Sequence, residues 1–174
     1  MWGHQPYSEN SSAKDNAILA FFTYGEGYHN YHHTFQWDYR NGIHWWHFDP
    51  TKWMISLLSF AGLTRDLKRC NPVQIEKARL ELQYLKATEK CERFDIPESW
   101  RLRLETEYEQ LLQTLQLWTE HRQAWYESKG RQLQQNLNSL DQLQLKHGYK
   151  EVQYRLKTQK QRWQHLLRDL AQPH

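Results

Sequence analysis

Gly25-Glu26-Gly27-Tyr28-His29-Asn30-Tyr31-His32-His33 carries three histidines in five positions, with the spacing H-x-x-H-H. On a helix His29, His32 and His33 stand at i, i+3 and i+4, so they share one face and their imidazoles converge. Convergent neutral imidazoles are what a borderline transition metal takes as ligands. Three nitrogens with no carboxylate in the same turn suit iron or zinc better than calcium or magnesium, which require oxygen ligands. The competing reading is a wet surface turn, because the chain holds ten histidines and a short cluster can arise by chance. Spacing alone leaves both readings open.

Upstream of this stretch, Gly3, Pro6 and Ser8-Glu9-Asn10-Ser11-Ser12 describe an irregular lead-in. A first helix is expected from about Ser12, capped by its hydroxyl, through Asn16 to Phe22. Gly25 and Gly27 then interrupt it and let the backbone bend just before the histidines. Downstream, Thr34 to Asp49 has no sustained period and contains the turn signal Asn41-Gly42. His44 and His47 form a second H-x-x-H, a pairing common by chance, and they are not taken as ligands. Asp49-Pro50 opens a helix, with aspartate as the cap and proline in the first position, and Gly62 stops it. Trp53, Ile55, Leu57, Leu58 and Phe60 surround this helix with apolar side chains, so it has to be buried against protein or lipid. The chain offers little core to receive it, which implies a partner surface.

From Asn71 the character changes. Asn71-Pro72 starts a helix on which Ile75, Ala78, Leu82 and Leu85 step along one face. Pro97 opens a longer one, with Leu104, Tyr108, Leu111, Leu115, Trp118 and Trp125 on a heptad seam that skips a position at Arg122. Gly130 is expected to end it, and after Gly148 the pattern resumes with Tyr149, Val152, Leu156, Trp163, Leu166 and Leu170. Such seams, set among Gln, Glu, Lys and Arg, describe antiparallel helical hairpins or a short coiled coil. A leucine stripe at this spacing is core, and the tail carries no legible chemistry. His121, His147, His165 and His174 lack ligand spacing and read as surface residues.

Length and composition set the bounds. At 174 residues the chain has room for one domain, or for one domain and a helical appendage. Nine tryptophans belong to an unusually heavy aromatic fraction of 14%, and such amphipathic rings favour interfaces, membrane interfaces included. A mean hydropathy of −0.99 nevertheless describes a water-soluble chain. The longest apolar run, Trp53 to Leu63, is interrupted by Ser56, Ser59 and Gly62. It falls well short of the roughly 20 residues a spanning helix needs. Met1-Trp2-Gly3-His4 lacks the basic start and apolar stretch of a signal peptide. The net charge of +3 is only mildly basic, so no nucleic-acid partner is expected. From Arg131 onward eight Lys/Arg face three Asp/Glu, which suits a solvated helical face or an anionic surface. Cys70 and Cys91 form no C-x-x-C pattern and argue for neither a zinc site nor a disulfide framework, so a reduced, cytosol-facing chain is the default.

The histidine stretch and its flanks then carry a more specific signal. Together with Trp37-Asp38-Tyr39-Arg40-Asn41-Gly42 downstream, Gly25 to His33 resembles the last histidine box of the membrane-bound acyl-CoA Δ9 fatty acid desaturases, the stearoyl-CoA desaturase family, of bacterial type. The likeness continues through Trp2-Gly3-His4-Gln5-Pro6-Tyr7 on one side and Asp49-Pro50-Thr51-Lys52-Trp53 on the other, covering about the first 70 residues. In that family two irons are held by histidines from several boxes. Molecular oxygen and electrons from a redox partner are used to remove two hydrogens from an unactivated acyl chain. The resemblance implies His29, His32 and His33 as iron ligands, with no further catalytic residue assigned. It also implies a fatty acyl substrate, an electron-donor protein, and a location at the cytosolic face of a membrane. Positions equivalent to His44 and His47 vary in the family, so nothing carries over to them.

The same resemblance exposes what this sequence lacks. The family's first two histidine boxes, its four membrane-spanning helices and an Asn-x-x-x-His segment all precede the part matched here. Three histidines cannot hold two irons in an oxygen-active site, so the chain is expected to be inactive alone. It reads as the C-terminal piece of a desaturase, either a fragment or a reading frame begun at an internal methionine, reaching the membrane through the missing helices. The expected fold is all-α: residues 1–70 form the histidine-box portion of a membrane desaturase and residues 71–174 a helical-hairpin or coiled-coil tail. The alternative, from a different class, is a non-enzymatic helical interaction protein whose tail binds a partner and whose histidine turn is incidental.

Overall fold

The computed structural model describes residues 2–132 and 139–172. His174, expected at the surface, lies outside them. The described residues are all-α, with helices α1 (Ala17–Phe22), α2 (His29–Thr34), α3 (Pro50–Phe60), α4 (Pro72–Arg93), α5 (Glu98–Gln132) and α6 (Ser139–Ala171). Two compact units divide the chain, Met1–Leu82 and Gln83–His174. The change of character at Asn71 therefore falls inside the first unit, because Ile75, Ala78 and Arg79 of α4 join its core.

In the first unit, short helices are held by long connections. The first helix does not begin at Ser12. Asp15 pairs its backbone with His4, N–H to carbonyl in both directions, and also bridges to Tyr28, so the residue just before Asn16 is held in extended pairing. Asn16 is the cap instead, its Oδ1 accepting from Ile18 and Leu19 at 3.0 and 3.1 Å. A core of Tyr7, Tyr31, Phe35, Cys70 and Ile75 sits behind α2. Tyr7 meets Tyr31 and Phe35 edge to face, with 5.4 Å between the Tyr7 and Tyr31 centroids.

Helix α3 starts as the sequence indicates, with Asp49 Oδ1 accepting from the Lys52 N–H at 3.0 Å, and Gly62 follows its end at φ +75°. Its outer side is not buried within the described residues. Trp53, Met54, Leu57 and Phe60 are exposed, Phe60 to 93%. The charged residue on this helix goes inward instead. Lys52 is buried, and its ammonium donates to the carbonyls of Gly42 and His44 at 3.0 and 2.9 Å.

The second unit is built on α5 and α6. Tyr108 lies near Trp163, Trp118 near Tyr149, and His121 beside Gly148, a descending order that makes the pair antiparallel. Leu104, Leu111 and Leu115 from α5 and Leu156, Trp163, Leu166 and Leu170 from α6 are buried, as their seams require. Gln159, not an apolar side chain, fills the buried position between Leu156 and Trp163.

Three local expectations fail. Gly130 does not end α5, which continues to Gln132. No left-handed conformation is adopted there, so the glycine costs the helix only about 1 kcal/mol in propensity. Gly148 likewise lies within α6, where a Cβ would stand 3.2 Å from His121 Nδ1, so its smallness lets the two helices approach. Leu85 is half exposed, and Ala87 and Cys91 are the buried positions of α4 nearby.

Candidate metal centre

Helix α2 is a single short turn placed by contacts from outside it. Tyr28, its N-terminal flanking residue, makes no side-chain cap. Asp15 supplies the cap from thirteen positions upstream of Tyr28, its Oδ1 accepting from the Asn30 N–H at 2.8 Å and the Tyr31 N–H at 3.2 Å. A carboxylate against the free N–H groups of a helix start is favoured by hydrogen bonding and by the helix dipole. Burial pushes the Asp15 carboxyl up, and the two N–H groups partly offset that.

The residues between the histidines hold the turn down. Asn30 is wholly buried. Its Oδ1 accepts from the Tyr7 and Ser8 N–H groups at 3.0 and 3.4 Å, and its Nδ2 donates to the Ser8 and Ala13 carbonyls at 2.6 and 3.1 Å. Tyr31 donates its hydroxyl to Asp38 Oδ2 at 2.6 Å. Asp38 also accepts from the Arg40 guanidinium at 2.7 and 3.0 Å and from the Cys70 N–H at 2.7 Å. Burial pushes the Asp38 carboxyl up, but these donors outweigh it and hold the group below the usual carboxylate range. Burial and the Asp38 charge push the Tyr31 phenol far upward, so it stays a donor.

Gly27 is required on the approach to the turn, because a Cβ there would collide with the Ala20 backbone nitrogen. Gly25 adopts φ +102° against Asp49, whose Oδ2 accepts from Asn41 and Gly42.

On this scaffold His29, His32 and His33 lie in one turn. Their ring centres are 4.6 Å apart for His29 and His33, 6.0 Å for His32 and His33, and 6.4 Å for His29 and His32. His29 Nδ1 donates to the Glu26 carbonyl at 3.2 Å, which leaves the lone pair on Nε2. His32 Nδ1 is buried and has no hydrogen-bond partner. A buried orphan nitrogen beside an oriented one suits a metal that takes nitrogen donors. As they stand, however, no group of three or more His, Cys, Asp or Glu among the described residues is gathered closely enough to hold an ion. The donor chemistry fits part of a transition-metal site.

His44 and His47 stack on other rings, although His47 Nδ1, like that of His32, is buried without a hydrogen-bond partner. His44 stacks on Trp46 at 4.3 Å and His47 on Tyr28 at 4.4 Å. Burial, with Lys52 and His44 nearby, lowers His47 to about 4. Asp15, Asn30 and Asp38 are the residues that reading the sequence missed. The one available signal was register, since Asn30 and Tyr31 fall between the histidines and so face away from them, toward protein.

No helix among the described residues is long and apolar enough to cross a membrane. No protein-family model and no solved structure matches the chain. Curated proteins do. The chain is 46% identical over 88 residues to acyl-CoA desaturase 1 of Saccharomyces cerevisiae, covering 51% of this chain and 17% of that protein. It is 42% identical over 81 residues to human stearoyl-CoA desaturase 5, covering 45% and 24%. It is 38% identical over 82 residues to the acyl-CoA C20 Delta5-desaturase of Anemone leveillei, covering 47% and 26%. These relatives are fungal, animal and plant, and they give no support to a bacterial type. About half of this chain is thus similar to acyl-CoA desaturases, over about a quarter or less of their length.

Proposed function

We propose that residues 1–70 are the last-histidine-box portion of an acyl-CoA desaturase, with His29, His32 and His33 as ligands of a di-iron centre completed by histidines from other segments. The observation that carries this is the buried, partnerless Nδ1 of His32 in a turn whose backbone is fixed by Asp15, Asn30 and Tyr31. Similarity to acyl-CoA desaturases supports it. Bound iron, with molecular oxygen and electrons from a redox protein, would supply the oxidising power to desaturate an acyl chain.

The chain's own residues would orient and insulate. The Glu26 carbonyl sets the His29 tautomer, Asp15 anchors the start of α2, and the Tyr31–Asp38 pair keeps the turn from rotating. Δ9 regiochemistry is part of the proposal, and a relative named as a Delta5-desaturase makes position of attack the detail to measure. The exposed apolar side of α3 is read as resting on a membrane at its cytosolic face or on a membrane domain. In this reading residues 1–70 are the desaturase portion and residues 71–174 a helical tail.

The test is a chimera in which this chain replaces the matching C-terminal segment of the yeast enzyme, produced in desaturase-deficient yeast. The expected result is unsaturated acyl product that disappears with His32→Ala. A chimera that accumulates in the membrane and yields no product would refute the assignment.

A further inference from the structure

Away from the histidine turn, the first unit holds a cavity of about 380 Å³ between the Arg40–His44 loop and the start of α4. That volume is at the small end of organic-ligand sites, which run from about 300 to 1,000 Å³, and is ample for more than a bare ion. Ile43 and Ile75 give it apolar surface, and Arg40, Arg69 and Arg79 bring three guanidinium groups to its lining.

The arginines are not equivalent. Arg40 is neutralised by Asp38 at 2.7 Å. Arg79 instead donates to the Tyr7 hydroxyl at 2.8 Å, with its guanidinium 5.0 Å from that ring's centre. Arg69 repeats the arrangement on Tyr39, at 2.9 Å to the hydroxyl and 5.3 Å to the ring. A neutral phenol orients a guanidinium without cancelling its charge, so both groups are preorganised and still cationic. Glu76 is the carboxylate in the lining, and with Arg40 and Asp38 paired the cavity keeps a net charge of about +1. Pro72 places the first turn of α4 at the wall, adding the positive end of a 22-residue helix. His44, also in the wall, is held below the usual histidine range, first by burial and then by Arg79 and Lys52.

We propose that this cavity is a binding site for a phosphate ester, its phosphate held between Arg69 and Arg79 and its organic group against Ile43 and Ile75. Oriented guanidinium forks match phosphate geometry, and an apolar surface beside them selects an ester over inorganic phosphate. The ester could be dissolved or could be the headgroup of a lipid, and the chemistry is shared. The site is separate from the histidine turn and does not depend on the desaturase reading.

Calorimetric titration of the full chain with phenyl phosphate, inorganic phosphate and phenol tests the site, alongside flotation with phosphatidic acid and phosphatidylcholine vesicles. Saturable binding of phenyl phosphate, tighter than inorganic phosphate and absent for phenol, identifies a dissolved ester. Flotation with phosphatidic acid alone identifies a lipid headgroup. In either arm Arg69→Glu should weaken binding at least tenfold, and Arg65→Gln, outside the cavity, should leave it unchanged. Arg69 is exposed, so its replacement leaves the core intact even if Arg79→Gln, which loses its hold on Tyr7, fails to fold. No binding to either phosphate-bearing probe, equal flotation with both lipids, or full binding by Arg69→Glu would overturn the proposal.

Discussion

The Tyr31 hydroxyl donates to the Asp38 carboxylate at 2.6 Å, and this bond ties the histidine turn to the rest of the first unit. Through the same carboxylate Tyr31 is linked to Arg40 and to the Cys70 N–H just before α4. Removing the phenol oxygen takes away one of several donors to Asp38, whereas removing the carboxylate leaves Tyr31, Arg40 and Cys70 unpaired. Tyr31→Phe should therefore cost about 1–2 kcal/mol and Asp38→Ala about 3–5 kcal/mol, read from urea unfolding. Equal losses would mean that Asp38 is not the shared anchor.

Acid should loosen this unit well above the ordinary carboxylate range. His47 accepts a proton at about 4 in the folded chain against an ordinary 6.5, so between those values the unfolded chain binds more protons. Stability then rises with pH across that window and falls as pH is lowered through it. His44, also lowered, acts with the same sign. Asp38, held low, adds a further loss only as pH falls below the ordinary 3.8, while Asp15, held high, opposes it because protonation relieves its burial. The urea midpoint should drop between pH 7 and pH 5, and His47→Gln should shrink that drop. An unchanged drop in the variant would place the sensitivity elsewhere.

Gly27→Ala should damage the first unit out of proportion to one methyl group. The new Cβ would meet the Ala20 backbone, which cannot rotate aside as a side chain can. A loss of about 1–3 kcal/mol is expected from overpacking. Gly130→Ala is the control, since nothing lies within 4 Å of a Cβ there, and it should be neutral or slightly stabilising.

In the second unit Trp163→Ala should cost about 3–5 kcal/mol, because the ring is fully buried and its Nε1 donates to Gln83 at 2.8 Å. Trp163→Phe, which keeps most of the volume, should recover much of that loss. The shortfall measures the lost indole N–H bond, since Gln83 Oε1 still accepts from Gln164 at 3.3 Å.

By itself the chain should bind cobalt(II) only weakly, with the spectrum of a largely hydrated ion, because one turn offers three imidazoles that are not yet gathered around a point. His32→Ala should remove the residual binding. Supplied with iron, oxygen and a reductant, the chain should form no unsaturated acyl product above the His32→Ala control. Product above that control would show the site to be complete.

The sequence alone determined whatever is decided within a turn or two of chain. Asp49-Pro50 starts α3 and Gly62 stops it because a cap and a left-handed glycine act on their immediate neighbours. The Leu104–Leu115 and Leu156–Leu170 seams were legible because helical periodicity is local, and H-x-x-H-H had to put three rings in one turn for the same reason. Tertiary structure decided the rest. The first helix is capped by Asn16 and not by Ser12 because His4 and Tyr28 claim Asp15. Gly148 lies inside α6 at the point where His121 of α5 comes close. The histidine turn is held by Asp15, by Asn30 and by Asp38, whose partners lie 15, 23 and 32 residues away. A buried carboxylate or amide is stable only where distant N–H groups meet it, and that meeting exists only once the chain has folded.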